Sequence, residues 1–322
     1  MIRYLVRRLL WAVVLFFAAT FATYVIFYVI PNDPARVVAG RSATPEQVAQ
    51  ARAYIGSDRP IVVQYYRFVK RITVDRSLGQ SFLTRQSVNT TVFAAARKTA
   101  SIVVGGALLW LLISIPIGVL SALRPRSLLD RAAMGFVLLG VSAHPVWIGL
   151  VFSYLIGYKL GWTPISGYCT IVHHPDAGCG GPTLWFSHLI LPWITFALVF
   201  AALYVRLIRA SVLETMHEDY VRTARAKGAS EWRVLRSHVL RNAMLPVVTI
   251  LGLDVALALG GAIFTESVFS IQGLGVTALS GYSNADLPIT IGIVVFVTIC
   301  VILANLIVDI AYAYIDPRIR LS

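Results

Sequence analysis

Charge is what this chain has least of. Asp, Glu, Lys and Arg make up 13% of its 322 residues, against about a quarter in an average soluble domain. With 57% of residues hydrophobic, that deficit excludes a fold that covers its core with a solvated surface. Acidic side chains are scarcer than basic ones, 15 against 28, for a formal charge of +13. The basic residues stand in short clusters between apolar runs instead of on one continuous face, which argues against nucleic acid as a partner. A G-x-x-x-x-G-K-[ST] phosphate loop is missing, so ATP has no expected site in this chain. H-E-x-x-H and G-x-S-x-G are missing too, which leaves no visible metal pair or nucleophile for hydrolysis within a membrane. There is no internal repeat of the kind from which many secondary transporters are built.

What is present is hydrophobic length. A bilayer core takes about 20 apolar residues as a helix, and six stretches qualify: 9–30, 99–122, 132–158, 184–208, 243–265 and 287–310. The expected fold class is therefore an all-α polytopic membrane protein with six transmembrane helices. The first stretch follows Arg3, Arg7 and Arg8 as a signal peptide would, but it is too long for one and has no convincing cleavage site, so 1–30 reads as a retained signal anchor. Short basic loops mark the cytoplasmic side. The N-terminus, Arg124/Arg126/Arg131, the segment 211–242 and Arg318/Arg320 all satisfy that rule if both termini are cytoplasmic. The connection 31–98 carries 11 Lys and Arg, yet loops longer than about 60 residues escape the rule. It falls outside with 159–183, where Lys159 is the one Lys or Arg.

The long outer connection has helical punctuation of its own. In "TPEQVAQARAYIGSDRP", Thr44 is a candidate N-cap, Pro45 the first helical residue, Gln47 the partner in a capping box and Gly56 a stop. A second short helix is expected over 59–71, with Ile61, Tyr65 and Phe68 on one side. Together they read as a small helical extracytoplasmic insert, 31–98, ahead of a five-helix core, 99–322. Pro116, Pro145, Pro192 and Pro246 lie in or near spans, where proline removes a backbone hydrogen bond and bends a helix.

Between the fourth and fifth apolar runs lies a charged, helix-prone segment, 211–242. "EDYVRTARAKG" places Glu218 and Asp219 at a helix start, where the dipole favours anions, and Gly228 at its end. Ser230 would cap a second helix, "SEWRVLRSHVLRNA". Two short helices jointed at a glycine make a projecting knob. Its alternating charge does nothing to stabilise a membrane bundle, so it reads as a surface for another protein; the plain alternative is a basic loop that sets topology.

This segment resembles the "EAA" loop of ABC-importer permeases. Arg222-Thr223-Ala224 stands where Glu-Ala-Ala would be, Gly228 holds the glycine, and Leu245-Pro246 arrives five residues later than in the general pattern. That spacing is similar to the oligopeptide, dipeptide and nickel branch, with "YVRTARAKG…RNALLP". "IPNDPA", "AHPVWIGL" and "FTESVFSIQGLG" resemble further motifs of the branch, in which Trp-Pro usually stands at Ile271-Gln272. The likeness runs the length of the chain. It implies the importer type I permease fold and a multi-pass subunit of the cell inner membrane, with peptide as substrate. The implied partners are a second homologous permease, two cytosolic ATP-binding subunits that carry the ATP and Mg, and an extracytoplasmic solute-binding protein. It further implies that Asp219, Arg222, Thr223, Ala224, Arg225 and Gly228, with Leu245 and Pro246 beyond, couple the membrane body to the ATPases. No cofactor is expected in this chain. Nickel or another small solute is the alternative cargo, and an ATP-independent secondary transporter the alternative class.

Ionisable groups within spans are expensive and tend to face a cavity or a partner. Asp254 is the deepest and Glu266 sits at the outer boundary; both are candidates for the translocation path, Asp254 to attract a peptide's cationic amino terminus. The structural alternative for Asp254 is a hydrogen-bonded packing acid. His144 reads as a packing residue. Cys169 and Cys179 flank His173, His174 and Asp176 in the outer loop, where a disulfide, free thiols and a metal site are all open. Cys300 reads as a small buried apolar residue.

Overall fold

Hydrocarbon offers no water to backbone N–H and C=O groups, so an apolar run satisfies them within itself and becomes a helix. The computed structural model describes residues 2–29, 34–40, 43–55, 60–172, 179–260, 262–284 and 286–315. Its helices are α1 (Ile2–Val29), α2 (Pro34–Ala39), α3 (Pro45–Ile55), α4 (Ile61–Thr73), α5 (Val88–Leu123), α6 (Leu128–Ser142) and α7 (Pro145–Phe152), which widens into a π-helical run over Ser153–Lys159. They continue as α8 (Pro182–Met216), α9 (Asp219–Ala226), α10 (Glu231–Val234), a π-helical turn over Leu235–Val239, α11 (Leu240–Leu259), α12 (Ile263–Val268), α13 (Leu274–Ser283) and α14 (Leu287–Ile315).

Among the described residues five helical runs are long and apolar enough to cross a membrane: Arg7–Ile26, Val88–Leu123, Pro182–Met216, Glu231–Leu259 and Leu287–Ile307. The sixth expected span is real in composition but broken, because α6 and α7 meet at 102°. His144 is excluded from helical backbone by the proline after it and instead caps α7, its Nδ1 accepting from the Val146 N–H at 3.3 Å. Pro145 then occupies the first turn, where its missing N–H costs nothing. Pro116, Pro192 and Pro246 lie inside continuous helices, so of four prolines expected to bend the chain only one interrupts it. The helices also outrun their apolar cores. α5 has 36 residues, about 54 Å at 1.5 Å per residue, well beyond the roughly 30 Å of hydrocarbon.

The chain divides into two compact units. The first comprises Met1–Thr99, Leu259–Gly261 and Gln272–Leu306. Within it Val88, Val92, Ala95 and Ala96 form one stripe of α5, packed on Leu274 and Ile293. The approach is close because α14 has glycine at 292, where a Cβ would lie 2.5 Å from Val88 Cγ1. A second cluster joins Tyr24, Phe68, Leu287, Ile291 and Val295. The expected capping box is formed at α3, with the Thr44 N–H donating to Gln47 Oε1 at 2.9 Å and the Gln47 N–H to Thr44 Oγ1 at 3.4 Å. Gly56 and Arg59 lie outside the described residues, and α4 starts at Ile61 after Pro60.

The second unit comprises Ala100–Ala258, Ala262–Ile271 and Ile307–Ser322. Here α8 is the buried centre, and glycines on neighbouring helices admit it: a Cβ at Gly140 would lie 2.5 Å from Ala202 Cβ, and one at Gly118 2.9 Å from Ile208. Small residues serve this purpose in membranes, where association rests on close packing. Trp110 stacks on Phe200 with ring centroids 4.6 Å apart. Near the end of α8, Arg209 forks onto Asp130, Nε to Oδ1 at 2.7 Å and Nη2 to Oδ2 at 2.9 Å. Ser121 Oγ and the Arg126 N–H also donate to that carboxylate, so α5, α6 and α8 share one polar knot.

Candidate coupling surface

The segment between α8 and α11 is shaped by two interruptions. After Met216 the chain turns extended at Glu218 (φ −66°, ψ 145°) and restarts as α9. Val221 and Ala224, at i and i+3, are buried, while Arg222 and Thr223 are exposed between them. Thr223 Oγ1 donates back to the Asp219 carbonyl at 2.9 Å. Arg222 and Asp219 approach to 3.6 Å with both side chains largely in solvent, an ion pair of little energetic weight. Gly228 ends α9 at φ +80°, and a Cβ there would meet nothing within 4 Å. Its requirement is therefore conformational, the left-handed residue that commonly closes a helix.

Two side-chain ties hold α9 to the helical run beyond it. Arg225 Nε and Nη2 donate to Glu231 Oε1 and Oε2 at 3.0 and 3.2 Å, bridging the Gly228 turn. Asn242 Nδ2 donates to Tyr220 Oη at 2.8 Å, joining the first turn of α9 to α11. Beside them lies a mostly apolar recess of about 210 Å³ lined by Leu123, Met216, Trp232, Leu235 and Val239, with Arg225 at its edge. Neither the Arg225–Glu231 bridge nor the Tyr220–Asn242 pair was expected from the sequence. Residues six or more apart, joined across a turn, leave no periodic signal.

The second helix of the expected knob is not a separate short helix. α10, the π turn and α11 form one continuous run, Glu231–Leu259, because nothing from Glu231 to Ala258 stops a helix and the run carries through Pro246. Ser230 occupies the N-cap position but its side chain makes no capping bond. Asp219, Arg222, Thr223, Ala224, Arg225 and Gly228 are thus brought together on α9 and its turn. Leu245 and Pro246 lie about one turn beyond Asn242 on α11.

Other singled-out residues sit apart. Asp254 is half-buried further along α11 and accepts from Tyr204 Oη at 2.8 Å. Glu266 is fully buried in α12. His144 packs its ring edge-on to Phe264 at 5.0 Å. Cys169 and Cys179 are joined by a disulfide with Cα atoms 5.3 Å apart, whereas Cys300 is a half-buried thiol in α14. Among the described residues no three His, Cys, Asp or Glu side chains converge as a metal set; His173, His174 and Asp176 lie outside those residues. The Arg209–Asp130 knot also went unread, although an arginine and an aspartate at the margins of apolar runs are its visible trace.

The model of the binding-protein-dependent transport system inner membrane component matches residues 114–321, and the model of the N-terminal part of such membrane components matches residues 1–103. The chain belongs to this permease family. The dipeptide transport system permease protein of Escherichia coli K12 is 35% identical over 337 residues, which cover 99% of each chain. A di/tripeptide transport system permease protein of Pseudomonas aeruginosa is 35% identical over 334 residues, again 99% of each. Among solved structures, the MetNI methionine ABC transporter in an inward-facing conformation superposes with a TM-score of 0.53 at 16% identity, covering 71% of this chain and 97% of that one. That likeness is one of fold. The permease is a multi-pass inner-membrane protein, as its helices require.

Proposed function

We propose that this permease subunit forms half of an ATP-driven import pathway for peptides and that α9 is the element through which cytosolic ATPases move it. The observation that carries the reading is the construction of α9: an exposed Arg222-Thr223 face on an eight-residue helix, closed by a left-handed glycine and tied at both ends to a helical run of membrane-spanning length. A force applied there has two ways into the bilayer, back through Met216 into α8 and forward through the Arg225–Glu231 and Tyr220–Asn242 ties into α10 and α11. Peptide as cargo is supported by the names of the full-length relatives.

In this reading both termini are cytoplasmic, 1–30 anchors the chain, 31–98 is the extracytoplasmic insert that meets a solute-binding protein, and 99–322 is the core, paired with a second homologous permease. Nucleotide and Mg belong to the two ATPase partners. This chain's own contribution is to receive α9's displacement and open the path at one end. Asp254, on the moving α11, offers a carboxylate to the cationic end of a peptide, with Tyr204 holding its orientation.

The test is reconstitution of the full complex in proteoliposomes. Arg222→Glu reverses charge on the exposed face without touching a buried partner, so ATP-dependent dipeptide uptake should fall at least tenfold while thermal unfolding stays unchanged. Uptake at the original rate refutes the role of α9. Ni²⁺ uptake with no peptide uptake refutes the cargo.

A further inference from the structure

The insert helix α4 does not stand clear of the membrane. Tyr65 Oη donates to the Phe17 carbonyl at 3.0 Å and lies 2.9 Å from Thr20 Oγ1, and Tyr24 Oη donates to Gln64 Oε1 at 3.0 Å. Phe17 lies eight residues into the apolar run 9–30, about 12 Å along the helix axis. α4 therefore packs along the middle of α1, from Phe17 to Tyr24. Val62, Val63 and Tyr66 expose apolar surface on it, and Arg67, Lys70 and Arg71 come after them, also exposed. Apolar and aromatic side chains combined with a basic polar face are the composition of a helix lying in the plane of a membrane interface.

Beside these cations is a cavity of about 690 Å³, bounded by α4, the loop 74–87, Tyr24 and Pro288. Arg67, Lys70, Arg71 and Arg85 line it, and Asp75 is the one acid among the described lining residues. Positions 67, 70 and 71 are i, i+3 and i+4, so three like charges share a helix face at a mutual cost that a bound anion removes. The loop is held in place: the Leu78 N–H donates to Asn89 Oδ1 at 2.7 Å, Asn89 Nδ2 to the Arg76 carbonyl at 2.8 Å, and the buried Asp286 accepts from Ser81 Oγ and from the Phe82 N–H. Arg76 and Arg85 adopt φ of 50° and 59°, a region non-glycine residues seldom occupy. The Arg71 guanidinium lies against Gly79, 3.4 Å from where a Cβ would be.

We propose that this cavity binds the phosphate-bearing headgroup of an anionic phospholipid. Guanidinium and ammonium donors match phosphate oxygens in charge and geometry, and the lining includes Pro288 in the first turn of α14 and Tyr24, five residues before the end of α1. A soluble phosphate shares the chemistry; depth beside α1 and the exposed apolar side chains of α4 favour the lipid. The orientation proposed above puts the site in the outer leaflet, but binding itself does not depend on that orientation or on transport.

Full-length permease, with whatever subunits co-purify, is placed in micelles containing phosphatidylglycerol and phosphatidylcholine, and bound lipid is counted by native mass spectrometry. The natural sequence should retain phosphatidylglycerol in preference. Combined Arg67→Gln, Lys70→Gln and Arg71→Gln should reduce that preference at least about tenfold, since each basic group near an anionic surface adds roughly fivefold; Arg67→Lys with Arg71→Lys should keep it. Lys70→Gln alone, with an expected loss of roughly fivefold, serves if the triple variant does not fold. Unchanged preference in the glutamine variants overturns the proposal. So does displacement of the lipid by millimolar inorganic phosphate, which marks a soluble-anion site, and so does loss of solute-binding-protein capture with lipid retention intact. Micelles have no leaflets, so failure here leaves the transport reading standing.

Discussion

Removing both members of the Arg209–Asp130 pair should destabilise the permease little more than removing either one alone. Asp130 accepts from Arg209 twice, from Ser121 Oγ and from the Arg126 N–H, and its side chain is 8% exposed against 25% for Arg209. Asp130→Ala leaves a largely buried guanidinium without a counter-charge and orphans two further donors, one of them the fully buried Ser121 hydroxyl. Breaking a buried pair costs about 3–5 kcal/mol, and the partial exposure of Arg209 places this case near the lower figure. Arg209→Ala should cost a similar amount, because it strands the carboxylate. The double variant strands neither charge, so its loss should stay near that of one single variant, with a coupling energy of about 2–3 kcal/mol. Unfolding in mixed detergent micelles, tracked by tryptophan fluorescence, measures all four corners of the cycle. Two single losses that simply add, or two each below about 1 kcal/mol, would show that the knot is a surface pair and refute the reasoning.

Gly228→Val forces a β-branched residue into left-handed backbone with no steric contact to blame, so about 1–2 kcal/mol of strain should loosen the turn; hydrogen exchange over 219–230 should quicken and ATP-driven uptake should fall, with Gly228→Asn milder. Replacing Cys169 and Cys179 by Ser opens a loop whose ends are 10 residues apart and should cost about 2–3 kcal/mol; reductant should lower the melting temperature of the natural sequence to that of the variant and leave the variant unmoved. Asp254→Asn preserves an acceptor for Tyr204 while removing charge, so uptake of peptides should shift away from cationic sequences; identical uptake across peptide charge removes Asp254 from the path.

The membrane-crossing architecture was readable because each span needs only length and apolarity, properties local to the chain. The same locality made the Thr44–Gln47 box and the Gly228 stop visible. Boundaries fared worse where polar residues extend a helix beyond the hydrocarbon: α5 starts 11 residues ahead of the apolar run that announced it, and the run expected over 243–265 is a helix from Glu231 to Leu259 and then the separate α12. Hydropathy reports where lipid is, whereas a helix ends only where its hydrogen-bond ladder fails. Proline shows the limit plainly, since four candidates looked alike and only Pro145 broke a span. There the imidazole of His144 supplies an acceptor to the restarted helix, a contact the periodic pattern does not encode.

By itself, then, the sequence determined that this protein is a bundle of membrane helices with a charged, glycine-jointed segment between two of them, because bilayer insertion and helix termination are decided residue by residue. Only the tertiary structure decided which charges meet: Arg209 with Asp130, Arg225 with Glu231, and Arg67, Lys70, Arg71 and Arg85 around one cavity. Such pairings depend on how helices distant in sequence lie in space. The energy of a buried or clustered charge is set by what stands within a few ångströms of it, which no linear spacing records.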